Sequence, residues 1–186
     1  IMRFLWDIIK KFLIIFIGSS VLAVVMYRYV PVYVTPLMVI RAVEQKQADK
    51  PIKLKHKWLS LDKISHNMVQ AVVASEDNLF MEHNGFDFDQ IEKAIKEAKS
   101  GKRNRGASTI SQQTAKNVFL WPGGGWFRKG LEAYFTILIE LIWDKHRIME
   151  VYLNVIEMGD GIYGADALAW QHFGRSADRL TRANCA

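Results

Sequence analysis

Three clusters of polar residues interrupt a largely apolar chain, and each carries types that do chemistry. The acid pair Glu76-Asp77 follows directly on the apolar run Ala71-Val72-Val73-Ala74. A carboxylate at the end of a buried helix face loses solvation, which raises its pKa toward that of a working base. The opposing reading is an exposed helix end carrying ordinary surface charge.

The second cluster is Gly106 to Asn117, an unusually polar helix candidate. Ser108, Gln112 and Lys116 recur at steps of four and are expected to share one face, with Gln113 and Asn117 as an adjacent stripe. Hydroxyl, amide and ammonium groups in a row suit a polyhydroxylated or phosphorylated ligand. A solvated outer face would more often be built from Glu and Lys.

The third cluster is Arg128-Lys129-Gly130-Leu131-Glu132 at the start of a long apolar helix. A helix N-terminus adds partial positive charge to Arg128 and Lys129, which suits a phosphate. Glu132 lies one turn beyond Arg128 and could equally form a plain surface pair with it. Lys99, Lys102, Arg103 and Arg105 add cations just before the polar helix. Trp121, Trp126 and Phe127 flank the glycines at 123–125 and suit either a membrane interface or a buried core. The five histidines are scattered, so no metal cluster emerges. The glycine stretch lacks the lysine of a phosphate-binding loop.

The elements that must position these groups read as helices. Asp62 is expected to cap one carrying Ile64, Met68 and Val72. Asp87 or Asp89 caps a second, with Ile91, Ala94, Ile95 and Ala98 inward and Gly101 past its end. A third covers about 108–118, a long one about 127–143, another 145–154, and a short last one 165–173. Gly159 to Gly164 reads as a turn. Ile52, Leu54 and His56 alternate with lysines too briefly for more than a fragment of strand.

Of the 186 residues, 50% are hydrophobic and 24% charged, which excludes disorder and low complexity. The net charge of +6 points to an anionic partner: nucleic acid, anionic lipid or a phosphate-bearing substrate. No nucleic-acid-binding signature accompanies it. A single cysteine, Cys185, excludes an intrachain disulfide and a Cys-rich zinc site.

Residues 12–34 form a run long and apolar enough to span a bilayer, with Arg28 snorkelling and Tyr27, Tyr29 and Tyr33 at an interface. No small-residue cleavage site follows Met26, which favours a retained anchor over a signal peptide. Arg3, Lys10 and Lys11 against Asp7 place residues 1–11 in the cytoplasm. Lys46, Lys50, Lys53, Lys55 and Lys57, on the other side, oppose that orientation. Residues 35–57 read as a juxtamembrane linker and 58–186 as the domain. Deleting residues 1–34 is expected to spare its fold.

Taken in order, five segments resemble the family 51 peptidoglycan glycosyltransferases, as found in monofunctional murein polymerases and class A penicillin-binding proteins. Glu76 to Gly85 matches Glu-Asp-x-x-Phe-x-x-His-x-Gly. Gly106 to Asn117 matches Gly-x-Ser-Thr-Ile-x-Gln-Gln-x-x-Lys-Asn. Arg128 to Glu132 matches Arg-Lys-x-x-Glu. Lys145 to Asn154 matches Lys-x-x-Ile-Leu-Glu-x-Tyr-Leu-Asn, with Met149 in place of Leu. Gly161 to Gly174 matches a glycine-alanine motif. The chain stops soon after the fifth motif, where family domains usually continue, so a C-terminally truncated domain is expected.

The resemblance implies an all-α, lysozyme-like, bilobed domain behind one transmembrane helix. It implies a single-pass protein of the bacterial inner membrane with its catalytic domain outside the cytoplasm. It further implies an inverting hexosyltransferase that polymerises lipid II into β-1,4-linked glycan and releases undecaprenyl pyrophosphate. Glu76 would be the general base. Lys116, Arg128 and Lys129 would neutralise the pyrophosphate, with Glu132 either placing them or holding a divalent cation (Mg2+ or Mn2+). Ser108, Gln112, Gln113 and Asn117 would orient sugar and phosphate. Glu150 would be structural, and Gly161 and Gly164 would permit a tight turn. Implied partners are lipid II, the lipid-linked glycan, the membrane and proteins of wall synthesis or division. Two rivals stand beside this: a lysozyme-like glycan-cleaving enzyme, and a catalytically impaired membrane-bound partner of the wall machinery.

Overall fold

The computed structural model describes residues 2–100 and 106–185, apart from the Ala98 side chain. Gly101, Lys102, Arg103 and Arg105 lie outside the described residues. Helix α1 (Met2–Tyr29) has 28 residues, or about 42 Å at 1.5 Å per residue, enough to cross a hydrocarbon core. Most of its apolar side chains are exposed, Phe12, Ile14, Ile15 and Leu22 among them. It starts earlier and stops sooner than the apolar run suggests. Pro31 cannot continue a helix, and the residue before a proline is pushed out of the helical region. The uncharged run up to Ile40 is therefore split. After an extended stretch, Thr35 caps α2 (Pro36–Gln47), with Pro36 in the first turn where its missing N–H costs nothing. All of α2 falls where the sequence suggests only a linker.

The last turns of α1 belong to the core. Val24 and Val32 are fully buried in the main apolar cluster. Ser20 and Tyr134 hydroxyls share a hydrogen bond at 2.6 Å, and Trp143 Nε1 donates to the Val24 carbonyl at 2.8 Å. The Arg147 guanidinium donates to the carbonyls of Tyr27 (2.7 Å) and Val30 (2.6 Å). Carbonyls at a helix C-terminus lack intrahelical partners, and a cation satisfies them and opposes the dipole. Removing residues 1–34 would strip this packing away, so the deletion is expected to cost the domain stability.

The remaining helices are α3 (His66–Glu76), α4 (Phe88–Lys99), α5 (Ile110–Phe119), α6 (Trp126–Ile142), α7 (Lys145–Val155), α8 (Ala165–Phe173) and the single turn α9 (Arg182–Cys185). Ile64, Met68 and Val72 are buried together as their spacing requires. Asp62 lies in a separate 3-10 turn, and Ser65 is the N-cap of α3. Asp87 caps α4 through Gln90 N at 2.8 Å, but Ile95 is half exposed rather than inward. Helix α5 packs on both α6 and α7. Its Ile110, Ala115 and Val118 meet Phe135 and Ile139 of α6 and Ile148, Val151 and Leu153 of α7 in the core.

Three short strands form one small sheet in the order β1-β3-β2: β1 (Lys55–His56), β2 (Glu157–Gly159) and β3 (Ile162–Tyr163). The β2–β3 turn needs Gly161, with φ of +70° and an imagined Cβ 2.3 Å from the Lys53 carbonyl oxygen. At Gly164, with φ of +81°, an imagined Cβ would lie 2.6 Å from the Asn154 carbonyl oxygen. The molecule is thus an all-α, lysozyme-like domain behind an N-terminal apolar helix, with the sheet a minor fastening.

Candidate active site

The acid pair at the end of α3 is divided. Asp77 is buried, whereas Glu76 is exposed. The expected desolvation of the pair therefore falls on Asp77, because the chain leaves the helix there and turns inward. Asp77 accepts from His83 Nε2 at 2.8 Å and from the Ile110 backbone N–H at 2.9 Å. His83 Nδ1 accepts from Gly85 N at 3.1 Å, which fixes the proton on Nε2. One carboxylate thus ties the loop after α3 to the first turn of α5. Glu76 is left with a different partner: Gln113 Nε2 donates to its Oε2 at 2.9 Å.

The polar helix begins at Ile110, two residues later than its composition suggests. Thr109 is its N-cap, and Gln112 completes a capping box, its Oε1 accepting from Thr109 N at 3.0 Å. Ser108 consequently lies before the helix and is exposed. Gln112 is buried in the cap. The expected common face of Ser108, Gln112 and Lys116 is not present. Thr109 Oγ1 also donates to the Gly85 carbonyl at 2.7 Å, so cap and loop brace each other.

Gln113, Lys116 and Asn117 do converge. With Arg128 they line a cleft of about 350 Å³, closed on the other sides by Leu37 and Arg41 of α2, Trp121, Pro122 and Glu157. The sequence points to neither Arg41 nor Glu157 as a site residue: Arg41 falls in what reads as linker, and Glu157 lies between the 145–154 helix and the Gly159 to Gly164 turn. Arg41 donates to Glu44 (2.9 Å) and Glu157 (3.3 Å), and these carboxylates hold its pKa above the ordinary arginine value. Arg128 pairs with the buried Glu132 at 2.8 Å, and Lys129 reaches the other Glu132 oxygen at 2.5 Å. Among the described residues, Lys116 makes no ion pair. It is the cleft cation with uncommitted charge.

Glu132 has an oxygen on each of two cations, so a divalent ion there would have to displace one of them. Among the described residues, no group of three or more His, Cys, Asp or Glu gathers to hold one. Glu132 could therefore share a divalent ion with a substrate pyrophosphate, but only by giving up one of its cations. Its place between Arg128 and Lys129 suits positioning. Glu150 is likewise taken up in the fold, accepting from Leu61 N at 3.0 Å and from Arg147. Trp126 and Phe127 are strongly exposed and Trp121 partly so, which excludes the buried-core reading of that trio.

The order of these groups along the chain and their convergence on one cleft can be set beside known proteins. A family described as Transglycosylase matches residues 44–186. The chain belongs to the transglycosylase family. A biosynthetic peptidoglycan transglycosylase of Bacteroides thetaiotaomicron is 63% identical over 178 residues, covering 95% of this chain and 71% of that protein. Proteins of the same name from Bdellovibrio bacteriovorus (54% identity, 96% of this chain, 73% of the relative) and Caulobacter vibrioides (52%, 99% and 78%) are similar throughout. The transglycosylase match begins at Glu44, so Arg41 contributes to the cleft from outside it.

Proposed function

We propose that this transglycosylase is a biosynthetic peptidoglycan glycosyltransferase that polymerises lipid II, acting from a single-pass anchor in the inner membrane with its cleft on the extracytoplasmic side. The observation that carries the reading is the cleft itself. Lys116, without an ion pair among the described residues, and the Glu132-held Arg128 share it with Gln113, whose amide donates to the Glu76 carboxylate.

In the proposed reaction the growing lipid-linked glycan is the donor and the 4-hydroxyl of lipid II is the acceptor. Glu76 takes the hydroxyl proton as the new C–O bond forms at the anomeric carbon. The bond from that carbon to the pyrophosphate oxygen breaks, and its electron pair leaves with undecaprenyl pyrophosphate. In-line attack inverts the centre to give a β-1,4 link. Pyrophosphate is a good leaving group, so it calls for cations rather than a strong acid. Lys116 and Arg128 supply them within the cleft, with Lys129 beside them on Glu132. Asn117 is placed to donate to sugar or phosphate. An exposed Glu76 held by an amide donor suits a base, whereas a glycan-cleaving acid would call for an apolar pocket that keeps it protonated.

Polymer formation from labelled lipid II in detergent tests the proposal, with the wild-type chain, Glu76→Gln and Lys116→Ala compared. Polymer from wild type that is lost in both variants is the expected result. Cleavage of preformed glycan, or partner binding without turnover, would replace the reading with one of its rivals.

A further inference from the structure

The fourth motif contributes a residue to Glu76 from a distance. Tyr152 of α7 is 2% exposed, and its hydroxyl lies 3.4 Å from Gln113 Oε1. The other end of the same amide donates to Glu76 at 2.9 Å. Three residues from three helices therefore form one line: Tyr152 on α7, Gln113 on α5 and Glu76 at the end of α3.

The chemistry of the ends sets the direction of the line. An ionised carboxylate only accepts, so Gln113 must present its NH2 to Glu76 and its carbonyl oxygen to Tyr152. A phenol facing that oxygen must donate. Burial, and secondarily the charge of Glu76, hold the Tyr152 pKa above its ordinary value, which keeps it a neutral donor. Without the hydroxyl, nothing in this line distinguishes the two orientations of the amide except Glu76 itself. A flipped amide would turn its oxygen on the carboxylate.

We propose that Tyr152 is a positioning residue for the transfer step, fixing the Gln113 amide so that its NH2 holds the Glu76 carboxylate in place to receive the acceptor proton. This rests on the reading of Glu76 as the base. It assigns Gln113 to the orientation of the base as well as to the cleft wall.

The test is a double-mutant cycle on the full chain with Tyr152→Phe and Gln113→Met, measuring kcat and KM for lipid II in detergent beside a thermal melt. Tyr152→Phe is expected to lower kcat about three- to ten-fold with KM within about two-fold. The double variant is expected to be no slower than Gln113→Met alone, because both substitutions break one line. A purely structural tyrosine would change the melt and leave kcat of the folded enzyme unmoved, and one acting on kcat by another route would multiply with Gln113→Met. Either unmoved kcat or multiplying losses overturns the proposal. If Tyr152→Phe does not fold, Gln113→Glu decides, since its carboxylate keeps an acceptor for Tyr152 but offers Glu76 no NH2: a kcat loss at constant KM supports the line, and wild-type kcat overturns it. Turnover surviving in Glu76→Gln would instead remove the reading beneath it.

Discussion

Asp77 accepts from His83 Nε2 at 2.8 Å while its chain neighbour Glu76 stands in solvent, so two adjacent carboxylates serve opposite ends. Asp77→Asn loses a charge that serves both His83 and the Ile110 N–H. It is expected to cost about 1–3 kcal/mol of stability and to loosen the loop after α3. Glu76→Gln should leave the melt within about 0.5 kcal/mol of wild type, as for an exposed site. Thermal melts and amide hydrogen exchange of both variants check this. Equal destabilisation would contradict the division of labour.

Arg147 ties the end of α1 to α7 while pairing with Glu150, and both side chains are about nine-tenths buried. Arg147→Ala leaves Glu150 without its cation and the Tyr27 and Val30 carbonyls without their donor. A loss of about 3–5 kcal/mol is expected, as for one partner of a buried pair. Denaturant unfolding of the detergent-solubilised chain measures it. A loss under about 1 kcal/mol would show that water replaces the guanidinium freely.

Stability should fall on mild acidification through His56. Its ring is half buried in β1, with Nε2 unpartnered among the described residues, and desolvation holds its pKa below the ordinary histidine value of 6.5. The unfolded chain therefore takes up the proton first as pH drops. The stabilisation is full above 6.5 and is lost as pH falls from there through the folded-state value. Melts between about pH 7.5 and 5.5 should steepen for wild type relative to His56→Gln. Parallel slopes would assign the acid sensitivity elsewhere.

Trp126 is 94% exposed and Phe127 75% exposed, beside Arg128 at the start of α6. Aromatic residues in that setting partition to a bilayer interface. In vesicles with brominated acyl chains, fluorescence quenching is expected to drop on Trp126→Phe. Unchanged quenching would place this helix end in water.

Much of this arrangement was legible. The apolar spacing of Ile64, Met68 and Val72 and the ordered motifs located the helices and the residues Gln113, Lys116, Asn117 and Arg128, which share the cleft. The misreadings have local causes. Thr109 with Gln112 three residues on is a capping-box signature, and it moves the helix start past Ser108 and takes Gln112 out of the face. Thr35-Pro36 is a helix start hidden inside an apolar run. The roles of Asp77, Arg41 and Tyr152 depend on partners distant in sequence, or on turns no spacing rule reports. His83, Glu157 and Gln113 become their neighbours only once the helices pack.

The docking of α1 has a mechanical meaning. With Val24 and Val32 in the core and Arg147 and Trp143 bonded to its carbonyls, α1, in its proposed role as anchor, is a bracket rather than a leash. A leashed domain would sample many heights and tilts above the lipid. A bracketed one presents its cleft at one height and one tilt, so the sugar–phosphate bond of a lipid-borne substrate must come to that level by the depth of its own headgroup. Under the proposed single-pass arrangement, bilayer thickness becomes a variable of the chemistry, felt by the cleft through a single helix.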